Sequence, residues 1–299
     1  MFFIANHPIY NHPLPEGHRF PMLKYELLPK QLLHEGTAEC TDFYSPDSID
    51  LSLVHAVHTV SYVKALTELT LDAKAVRSIG FPLSAALVER ELRIAQGTVV
   101  GCNHALEHGI AFNIAGGTHH AFSDRGEAFC LLNDQAIAAQ YLINQKKCHK
   151  ILIVDLDVHQ GNGTAEIFQN NADVITFSMH GQSNYPFRKE TSDYDIALPD
   201  KTDDTTYLSI LQETLPELLN IHRPDFVFYL AGVDILGTDK LGKLGCTLEG
   251  CKARDSYVLG LCKSLGIPVQ VSMGGGYSPA IKTIIEAHAN TYRVARALY

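Results

Sequence analysis

A short apolar segment at residues 150–154 passes directly into a group of charged side chains, and this transition constrains the fold most. The segment is rich in Ile, Leu and Val, which is typical of a parallel strand buried on both faces. Asp155, Asp157 and His159 follow at every second position, a spacing that places strand side chains on one side. Two acids and an imidazole at the end of a buried strand are costly unless a partner neutralises them. A divalent metal ion is such a partner, because Asp-x-His supplies two suitable ligands close together.

The segment alone leaves a second interpretation open, in which the acids cap the next helix and the histidine is solvated. Gly161 and Gly163, which follow the histidine, are expected to let the backbone turn sharply into the next element. The remainder of the chain has to separate the two interpretations.

The composition excludes several classes of protein. With 299 residues and 46% hydrophobic side chains, the chain is long enough for one large α/β domain or two small ones. No apolar run approaches the length of a membrane span, and the first residues lack a signal peptide's basic region, so we expect a first strand there. A net charge of −9 argues against direct nucleic-acid binding and is compatible with a cationic substrate. Seven cysteines without a C-x-x-C pair predict a reduced, cytoplasmic protein, whose oligomeric state the sequence does not indicate.

Strand and helix patterns alternate along the whole chain, without a linker, repeat or low-complexity segment. This alternation predicts one three-layer α/β domain over residues 1–299, with a mostly parallel central sheet and helices on both faces. Strands are predicted at the N-terminus, near 41–44, and within 109–115, 150–154, 174–180, 225–234 and 267–273. Helices are predicted at 24–36, twice within 51–71, and at 84–107, 135–147, 165–170, 205–222, 248–266 and 278–299. Residues 77–82 are predicted to be a turn-rich loop, and Gly97 to weaken the long helix.

Polar side chains follow four of the predicted strands at their carboxyl ends. They are His119 and His120, Asp157 and His159, Asp234, and Tyr277 in a glycine-rich loop. In a parallel sheet these ends share one edge, so the side chains are expected to converge. The convergence favours the metal interpretation over the helix-capping one.

Three protein ligands with an open position would suit a catalytic metal site. Such a metal lowers the pKa of bound water and polarises a carbonyl, a nearby histidine can take a proton, and a tyrosine can donate to an oxyanion. These parts predict amide hydrolysis. No Gly-x-Ser-x-Gly elbow or Walker-type loop indicates a competing chemistry.

At this point the sequence resembles a known family, the histone deacetylase superfamily of the arginase/deacetylase fold. The matching segments are HPLPEGHRFP, GGTHHAF with FCLLND, DLDVHQGNG, AGVD and GGGY, in the family's order and across nearly the whole chain. The HQGNG form resembles the class IV branch and its bacterial relatives.

The resemblance implies which residues hold metal ions. Zn²⁺ would be bound by Asp157, His159 and Asp234, and Fe²⁺ could compete for so oxygen-rich a set. A monovalent cation, K⁺, would be bound near the Asp-x-Asp strand by Asp155, Asp157, His159 and Ser178.

It also implies the catalytic residues. His120 would be the proton shuttle, His119 would pair with Asp155, and Tyr277 would polarise the scissile carbonyl. Asn162 stands where the commoner pattern has Asp, and it should support His120 without a charge.

A tunnel for the acylated side chain is the third implication. Its lining residues would be Phe129, Tyr185 and Gly275. Ala128 departs from the glycine usual beside the tunnel phenylalanine, and an entrance aspartate cannot be located. Arg19 and its Pro-rich loop at residues 7–21 are expected to border the interior end.

Three functions are therefore compared. The first is a zinc-dependent hydrolase that removes acetyl groups, and longer fatty acyl groups, from the lysine side chains of an acylated peptide. The second is an amidohydrolase of acetylated polyamines or related acylated amines. The third, which the full set of expected residues disfavours, is a catalytically dead binding module.

Overall fold

The strands of the computed structural model, which describes residues 2–299, all join one sheet of eight parallel strands. The strands are β1 (Ile4–Ala5), β2 (Phe43–Tyr44), β3 (Ile110–Asn113), β4 (Ile151–Asp155), β5 (Val174–Gly181), β6 (Tyr194–Leu198), β7 (Phe226–Leu230) and β8 (Val269–Ser272). Their order across the sheet is β2-β1-β3-β8-β7-β4-β5-β6. The predicted α/β fold is confirmed, and the sheet is parallel throughout. Met1, part of the predicted first strand, lies outside the described residues.

The burial of the strands explains which of them could be predicted from the sequence. Every residue of β3, β4, β5, β7 and β8 is buried, which matches their continuous apolar runs. Edge strand β6 was not predicted. Its five residues alternate between half-buried and exposed up to buried Leu198, and its sequence YDIAL is too short and too polar to stand out.

Ten α-helices surround the sheet in this part of the chain. They are α1 (Lys24–His34), α2 (Leu51–Val54), α3 (Val60–Thr67), α4 (Ala73–Ile79), α5 (Ala85–His108), α6 (Asp134–Asn144), α7 (Asn162–Phe168), α8 (Asp204–His222), α9 (Leu248–Leu265) and α10 (Ile281–Leu298). Helix α5 packs against α6 and β3, whereas α9 packs against α8 and α10, and α1 against α10. These two groups form the outer layers on either side of the sheet. Within residues 2–299 no helix combines the length and apolar character that a membrane span requires.

Two helical predictions were wrong. The turn predicted at residues 77–82 is partly helix α4, which begins after Asp72, whose Oδ1 accepts from Ala75 N at 2.7 Å. Gly97 does not interrupt α5. A Cβ on Gly97 would lie 2.8 Å from the Cβ of Ala5, so the glycine allows the long helix to pack closely against β1.

The centre of the sheet determines where the site forms. Strands β3, β8, β7 and β4 are consecutive neighbours. They are the four strands whose carboxyl ends the sequence marked as polar, so their following loops meet at one edge.

Candidate metal centre and active site

Asp157, His159 and Asp234 form a compact buried group at the carboxyl edge of the sheet. One ligand atom from each lies within 4.8 Å of the others. The Nδ1 atom of His159 is 3.0 Å from Asp157 Oδ1 and 3.1 Å from Asp234 Oδ2. The side chains come from the loops after β4 and β7, as the sequence predicted.

The geometry of the loop after β4 differs from the expected one. Strand β4 ends at Asp155, so Asp157 and His159 do not alternate along a strand. Instead, Asp157 N donates to Asp155 Oδ1 at 3.1 Å, and His159 N donates to Asp157 Oδ1 at 3.0 Å. The carboxylates thereby shape the loop that carries them, and these contacts bring Asp157 and His159 into position.

Gly161 and Gly163 also have another role than the expected sharp turn. Both keep ordinary negative φ angles, since neither is among the residues with positive φ. A Cβ on Gly161 would lie 2.3 Å from Asp155 Oδ2, and one on Gly163 would lie 2.2 Å from the carbonyl oxygen of Ala121. Both glycines allow close packing beneath the site.

The electrostatics of the group fit a divalent cation. Burial, followed by the charge of Asp157, raises the pKa of Asp234 to about 7. Burial alone would lower the pKa of His159, but its hydrogen bonds to Asp157 and Asp234 raise that pKa to about 10. The carboxylates thus hold a positive charge between them, in a pocket where an uncompensated charge is costly. Two carboxylates and one imidazole are ligands that suit zinc or iron(II).

The glycine loop before Tyr277 completes the environment of these carboxylates. Gly275 N donates to Asp157 Oδ2 at 2.7 Å. A Cβ on Gly275 would lie 2.0 Å from Asp234 Oδ2, so no other residue fits without displacing a carboxylate. The sequence placed Gly275 in the tunnel wall, and the structure puts it directly against the acids.

Two histidines stand beside the candidate metal centre with different partners. His119 Nδ1 is 2.6 Å from Asp155 Oδ2, and His120 Nδ1 donates to Asn162 Oδ1 at 2.6 Å. Because Nδ1 of His120 carries the proton, its Nε2 is left to accept one. Burial, and then the neighbouring His119, lowers the pKa of His120 well below its usual value. Burial opposes protonation of His119 also, but Asp155 raises its pKa.

Tyr277 lies on the other side of the group. Its ring centroid is 6.4 Å from that of His159, and its backbone N donates to Asp239 Oδ2 at 2.6 Å. Burial, and then Asp234, raises the pKa of Tyr277 well above its usual value, so its hydroxyl stays protonated. A protonated phenol beside the metal ligands can donate to a developing oxyanion.

Two connected chambers lead to this group. The inner chamber of about 40 Å³ includes Phe20, Tyr25 and Arg90, and the outer one of about 410 Å³ opens toward the surface. The residues common to both chambers define the passage between them: His120, Ala128, Phe129, His159 and Tyr277. Phe129 therefore lines a narrow passage, whereas Tyr185 belongs to the outer chamber, with its ring edge-on to His120 at 5.0 Å.

The passage wall is built on unusual backbone. Ala128 and Phe129 have φ angles of +44° and +71°, in the left-handed region that residues other than glycine rarely adopt. Their backbone N atoms donate to the carbonyl oxygens of Ser78 and Ile79 at 2.9 and 2.6 Å. The end of helix α4 thus fixes the backbone that carries the ring of Phe129.

The expectation for Arg19 was wrong. Arg19 is exposed and lines the outer chamber, where its guanidinium lies 5.0 Å from the ring centroid of Phe129. The buried cation at the inner end is Arg90, from helix α5, whose Nε donates to the carbonyl oxygen of Tyr10 at 3.0 Å. The Pro-rich loop reaches inward through Phe20 rather than through its arginine.

Sequence reasoning missed a fully buried arginine that connects two of the ligand loops. Arg254 Nη1 donates to the carbonyl oxygens of Leu156, at 3.2 Å, and Gly232, at 2.6 Å. Its Nε donates to Asp255 Oδ1 at 2.9 Å. A signal was present, because Arg254 lies on the apolar face of the predicted helix between Cys251 and Val258.

The loop of His119 and His120 is held by Asp134, which lies within the FCLLND segment of the sequence. Asp134 Oδ1 accepts from the backbone N atoms of Gly117 and Thr118, each at 2.9 Å. The cap of α6 is Asn133, whose Oδ1 accepts from Ala136 N at 3.0 Å. The two residues together connect the helix start to the histidine loop.

The residues implied for a monovalent cation are adjacent. The β4–β5 register pairs Asp155 with Ser178, and Ser178 Oγ is 3.0 Å from His180 Nδ1. The assignment of K⁺ to Asp155, Asp157, His159 and Ser178 stays a prediction.

Comparison with known proteins agrees with this fold. A family model described as the histone deacetylase domain matches residues 18–292. An uncharacterized protein of Picosynechococcus sp. is 46% identical over 298 residues, covering 100% of this chain and 99% of that protein. Histone deacetylase 2 of Arabidopsis thaliana is 28% identical over 90% of this chain and 72% of its own length. Type-1 histone deacetylase 1 of Dictyostelium discoideum is 28% identical over 93% of this chain and 57% of its own length.

Solved structures match over the whole fold. A crystal structure of an HDAC homolog complexed with SAHA has a TM-score of 0.87 at 21% identity, covering 100% of this chain and 84% of that one. An HDAC homolog from Aquifex aeolicus has a TM-score of 0.85 at 22% identity, covering 98% of this chain and 83% of that one.

Fold and site together define a deacetylase-type hydrolase with a buried Asp-His-Asp group that could hold a metal ion. The chain belongs to the histone deacetylase family.

Proposed function

We propose that the protein is a metal-dependent amide hydrolase that removes acetyl-type groups from the ε-amino group of acylated lysine. The observation that carries the proposal is the position of Asp157, His159 and Asp234 at the bottom of a narrow passage between His120 and Tyr277. An amide that enters this passage meets a proton acceptor on one side and a hydrogen-bond donor on the other.

The chain's own side chains have distinct tasks in this mechanism. A zinc or iron(II) ion held by Asp157, His159 and Asp234 would lower the pKa of a water and polarise the amide carbonyl. His120 is neutral with a free Nε2, so it can take a proton from the attacking water and return it to the leaving amine. Tyr277 donates a hydrogen bond from its phenolic O–H to the carbonyl oxygen as negative charge develops there.

His119 acts through its charge. Its contact with Asp155 favours the protonated imidazole, which lies next to His120, with ring centroids 4.1 Å apart. A positive neighbour keeps His120 from binding a proton too early. The pair His119 and Asp155 therefore tunes the base instead of touching the substrate.

The inner chamber favours a short acyl group. Longer fatty acyl groups were expected on the premise of an open cavity beyond the metal, where each buried methylene contributes about 0.8 kcal/mol. The chamber measures only about 40 Å³ and is bounded by Phe20, Tyr25 and the buried guanidinium of Arg90. Apolar carbon against a buried charge is unfavourable, so we place acetyl above octanoyl and myristoyl.

Other parts of the proposal rest on the sequence alone. They are the K⁺ site, placement near the class IV branch from the HQGNG segment, a single catalytic domain over residues 1–299, and a cytoplasmic location. The last agrees with the seven cysteines, all of which are free thiols.

Two measurements test the function. The protein is loaded with Zn²⁺ or Fe²⁺, and kcat/KM is compared for acetyl-, octanoyl- and myristoyl-lysine in one neutral peptide and for acetylated polyamines. We expect turnover of the acetyl peptide, with a loss of activity as the acyl chain lengthens. Metal bound fully without turnover of any substrate would contradict the proposal and indicate a binding module.

Bound metal is measured separately in Asp157→Ala, His159→Ala and Asp234→Ala. Each should lose the divalent ion, whereas the exposed control Asp173→Ala should retain it. Full occupancy in any of the three would show that the ion lies elsewhere.

A further inference from the structure

The outer chamber carries charge of one sign. The residues that line it and not the inner chamber are Arg19, Ser78, Ser183, Asn184, Tyr185, Phe187, Leu241 and Lys243. Arg19 and Lys243 are cationic, and within the described residues no carboxylate lines this chamber. The chain as a whole has a net charge of −9, so the charge at this opening is opposite in sign to the net charge of the protein.

Arg19 is held at the passage but is free to bind an anion. Its guanidinium lies 5.0 Å from the ring centroid of Phe129, which forms the passage wall. Between residues 2 and 299, no Asp or Glu lies within ion-pair distance of it. A guanidinium presents its N–H donors in one plane, which suits a bidentate carboxylate.

Lys243 supplies the second cation from another loop. Its Nζ donates to the carbonyl oxygen and Oγ of Ser183, at 3.2 and 3.1 Å. An acid close to the chamber, Glu127, is already engaged, since it accepts from Tyr185 OH at 2.6 Å and Arg125 Nε at 2.9 Å. Asp200 accepts from the same Ser183 Oγ, but among residues 2–299 neither Glu127 nor Asp200 lies within ion-pair distance of Arg19 or Lys243.

The length of a lysine side chain determines what reaches these cations. When the acyl group occupies the inner chamber, the methylenes of the lysine fill the passage beside Phe129. The α-carbon and its neighbours then lie in the outer chamber, against Arg19 and Lys243. A carboxylate attached near that α-carbon would be attracted, and an ammonium would be repelled.

We propose that the outer chamber is a carboxylate-recognition site that selects acyl-lysine next to a negative charge. This inference rests on the proposed function and names its substrate class. The carboxylate is either the α-carboxylate of a terminal acyl-lysine or the side chain of a flanking acidic residue. Acetylated polyamines, whose remaining amines are cationic, are poor substrates for the same reason.

The test compares kcat/KM for acetyl-lysine peptides that differ in one charge. One pair carries Glu or Gln beside the acetyl-lysine, and a third peptide carries Lys there. A second pair ends in acetyl-lysine with a free or an amidated carboxyl group, which separates the two sources of the carboxylate. We expect kcat/KM for the acidic peptide to exceed that for the neutral peptide about three- to tenfold at low salt. This difference should shrink in about 0.5 M salt, because the ions screen the attraction between the carboxylate and the two cations.

Charge reversal of the two cations provides the decisive comparison. In Arg19→Glu/Lys243→Glu the ratio of acidic to basic peptide should invert. In Lys252→Glu/Lys282→Glu, which makes the same charge change at exposed positions of α9 and α10, the ratio should stay as in the unaltered protein. Equilibrium binding of the same peptides, labelled with a fluorophore, should follow the same order.

The outcomes distinguish this inference from the proposed function. Hydrolysis of all peptides with equal kcat/KM, or a ratio unchanged by the double reversal, would overturn carboxylate recognition alone. No hydrolysis of any of these peptides by metal-loaded protein would overturn the proposed function, and the binding order would then decide the carboxylate site. Equal affinities in that case would overturn both.

Discussion

Single side chains determine the chemistry of this site, and Tyr277 offers the clearest test. In Tyr277→Phe we expect the fold and the bound metal to remain, because the backbone contact to Asp239 is kept. Turnover should fall by about 10²–10³-fold, the typical loss for one oxyanion donor. Steady-state kinetics with metal analysis measures both. Tyr257→Phe, which removes a hydroxyl from a surface contact with Gln212, is the control. Near-normal kcat in Tyr277→Phe would make Tyr277 a structural residue.

Asn162 gives a prediction about pH. Burial lowers the pKa of His120, and the neutral Asn162 adds no charge to raise it. In Asn162→Asp a carboxylate would stabilise the imidazolium, so the pKa of His120 should rise. Because the base must be neutral to act, activity on the acid side should be lost at a higher pH. The pH dependence of kcat/KM measures this shift, with Asn103→Asp as a control away from the site. If the acid side of the pH profile of kcat/KM does not shift, Asn162 does not act through His120.

The identities of the site residues could be read from the sequence, but their supports could not. His119, Asp157 and Asp234 stood out because polar groups follow apolar strands. Arg90 and Arg254 were missed, because a charged residue within a helix is usually solvated, and the position of Arg254 on an apolar helix face became informative only once the packing showed both to be buried. Arg19 was assigned to the wrong end of the tunnel, because the sequence gives no direction to a long loop.

Among the structural elements, the turn at Ala128 and Phe129 places two consecutive residues other than glycine in the left-handed region. A left-handed φ costs a residue other than glycine about 1–2 kcal/mol, whereas glycine costs about 0.5–1 kcal/mol in lost chain entropy. Ala128→Gly should therefore increase the free energy of unfolding by about 0.5–1 kcal/mol. Denaturant unfolding measures this change. Ala65→Gly in helix α3, where φ is ordinary, should decrease the unfolding free energy by a similar amount. Equal destabilisation by both would show that the turn is not strained.

Helix α9 contributes to the site through Arg254. Arg254→Met would leave Asp255 buried without its cation, which costs about 3–5 kcal/mol of unfolding free energy. Arg254→Met/Asp255→Asn should recover at least half of that loss. It should still bind Zn²⁺ more weakly, because the carbonyl oxygens of Leu156 and Gly232 have lost their common donor. Denaturant unfolding and zinc titration give the two quantities. If the folded double variant binds zinc with unchanged affinity, Arg254 contributes to the stability of the fold and not to metal binding.

Helices and strands were predictable where the apolar residues recur with the period of the element and are also buried. The continuous apolar strands and the long amphipathic helices α5, α8 and α10 were predicted close to their observed bounds. Edge strand β6 and short helix α4 were not, because each buries few residues and carries little periodic signal. The start of α7 at Asn162, before the predicted 165, depends on loop contacts that no local pattern encodes.

For the whole molecule, the position of β8 is decisive. It is the last of the described strands in sequence, yet it lies between β3 and β7 in the middle of the sheet. A chain that ends at residue 266 should therefore lose cooperative unfolding and Zn²⁺ binding together. Thermal unfolding and metal analysis test this, with a chain that ends at residue 297, near the end of α10, as the control. If the shorter chain folds and binds zinc, the sheet and the site form without β8.

This placement has a consequence for synthesis on the ribosome. When residue 266 has been added, Asp157, His159 and Asp234 are already in the chain, but without β8 the facing edges of β3 and β7 are unpaired. Such unpaired edges favour aggregation, so the nascent chain needs protection until β8 emerges. Asp157 also lacks its contact to Gly275 until then. We therefore expect the metal to bind only after β8 and the loop of Gly275 have been synthesised. A chain that stalls before them would contain the three ligand residues but no formed metal site.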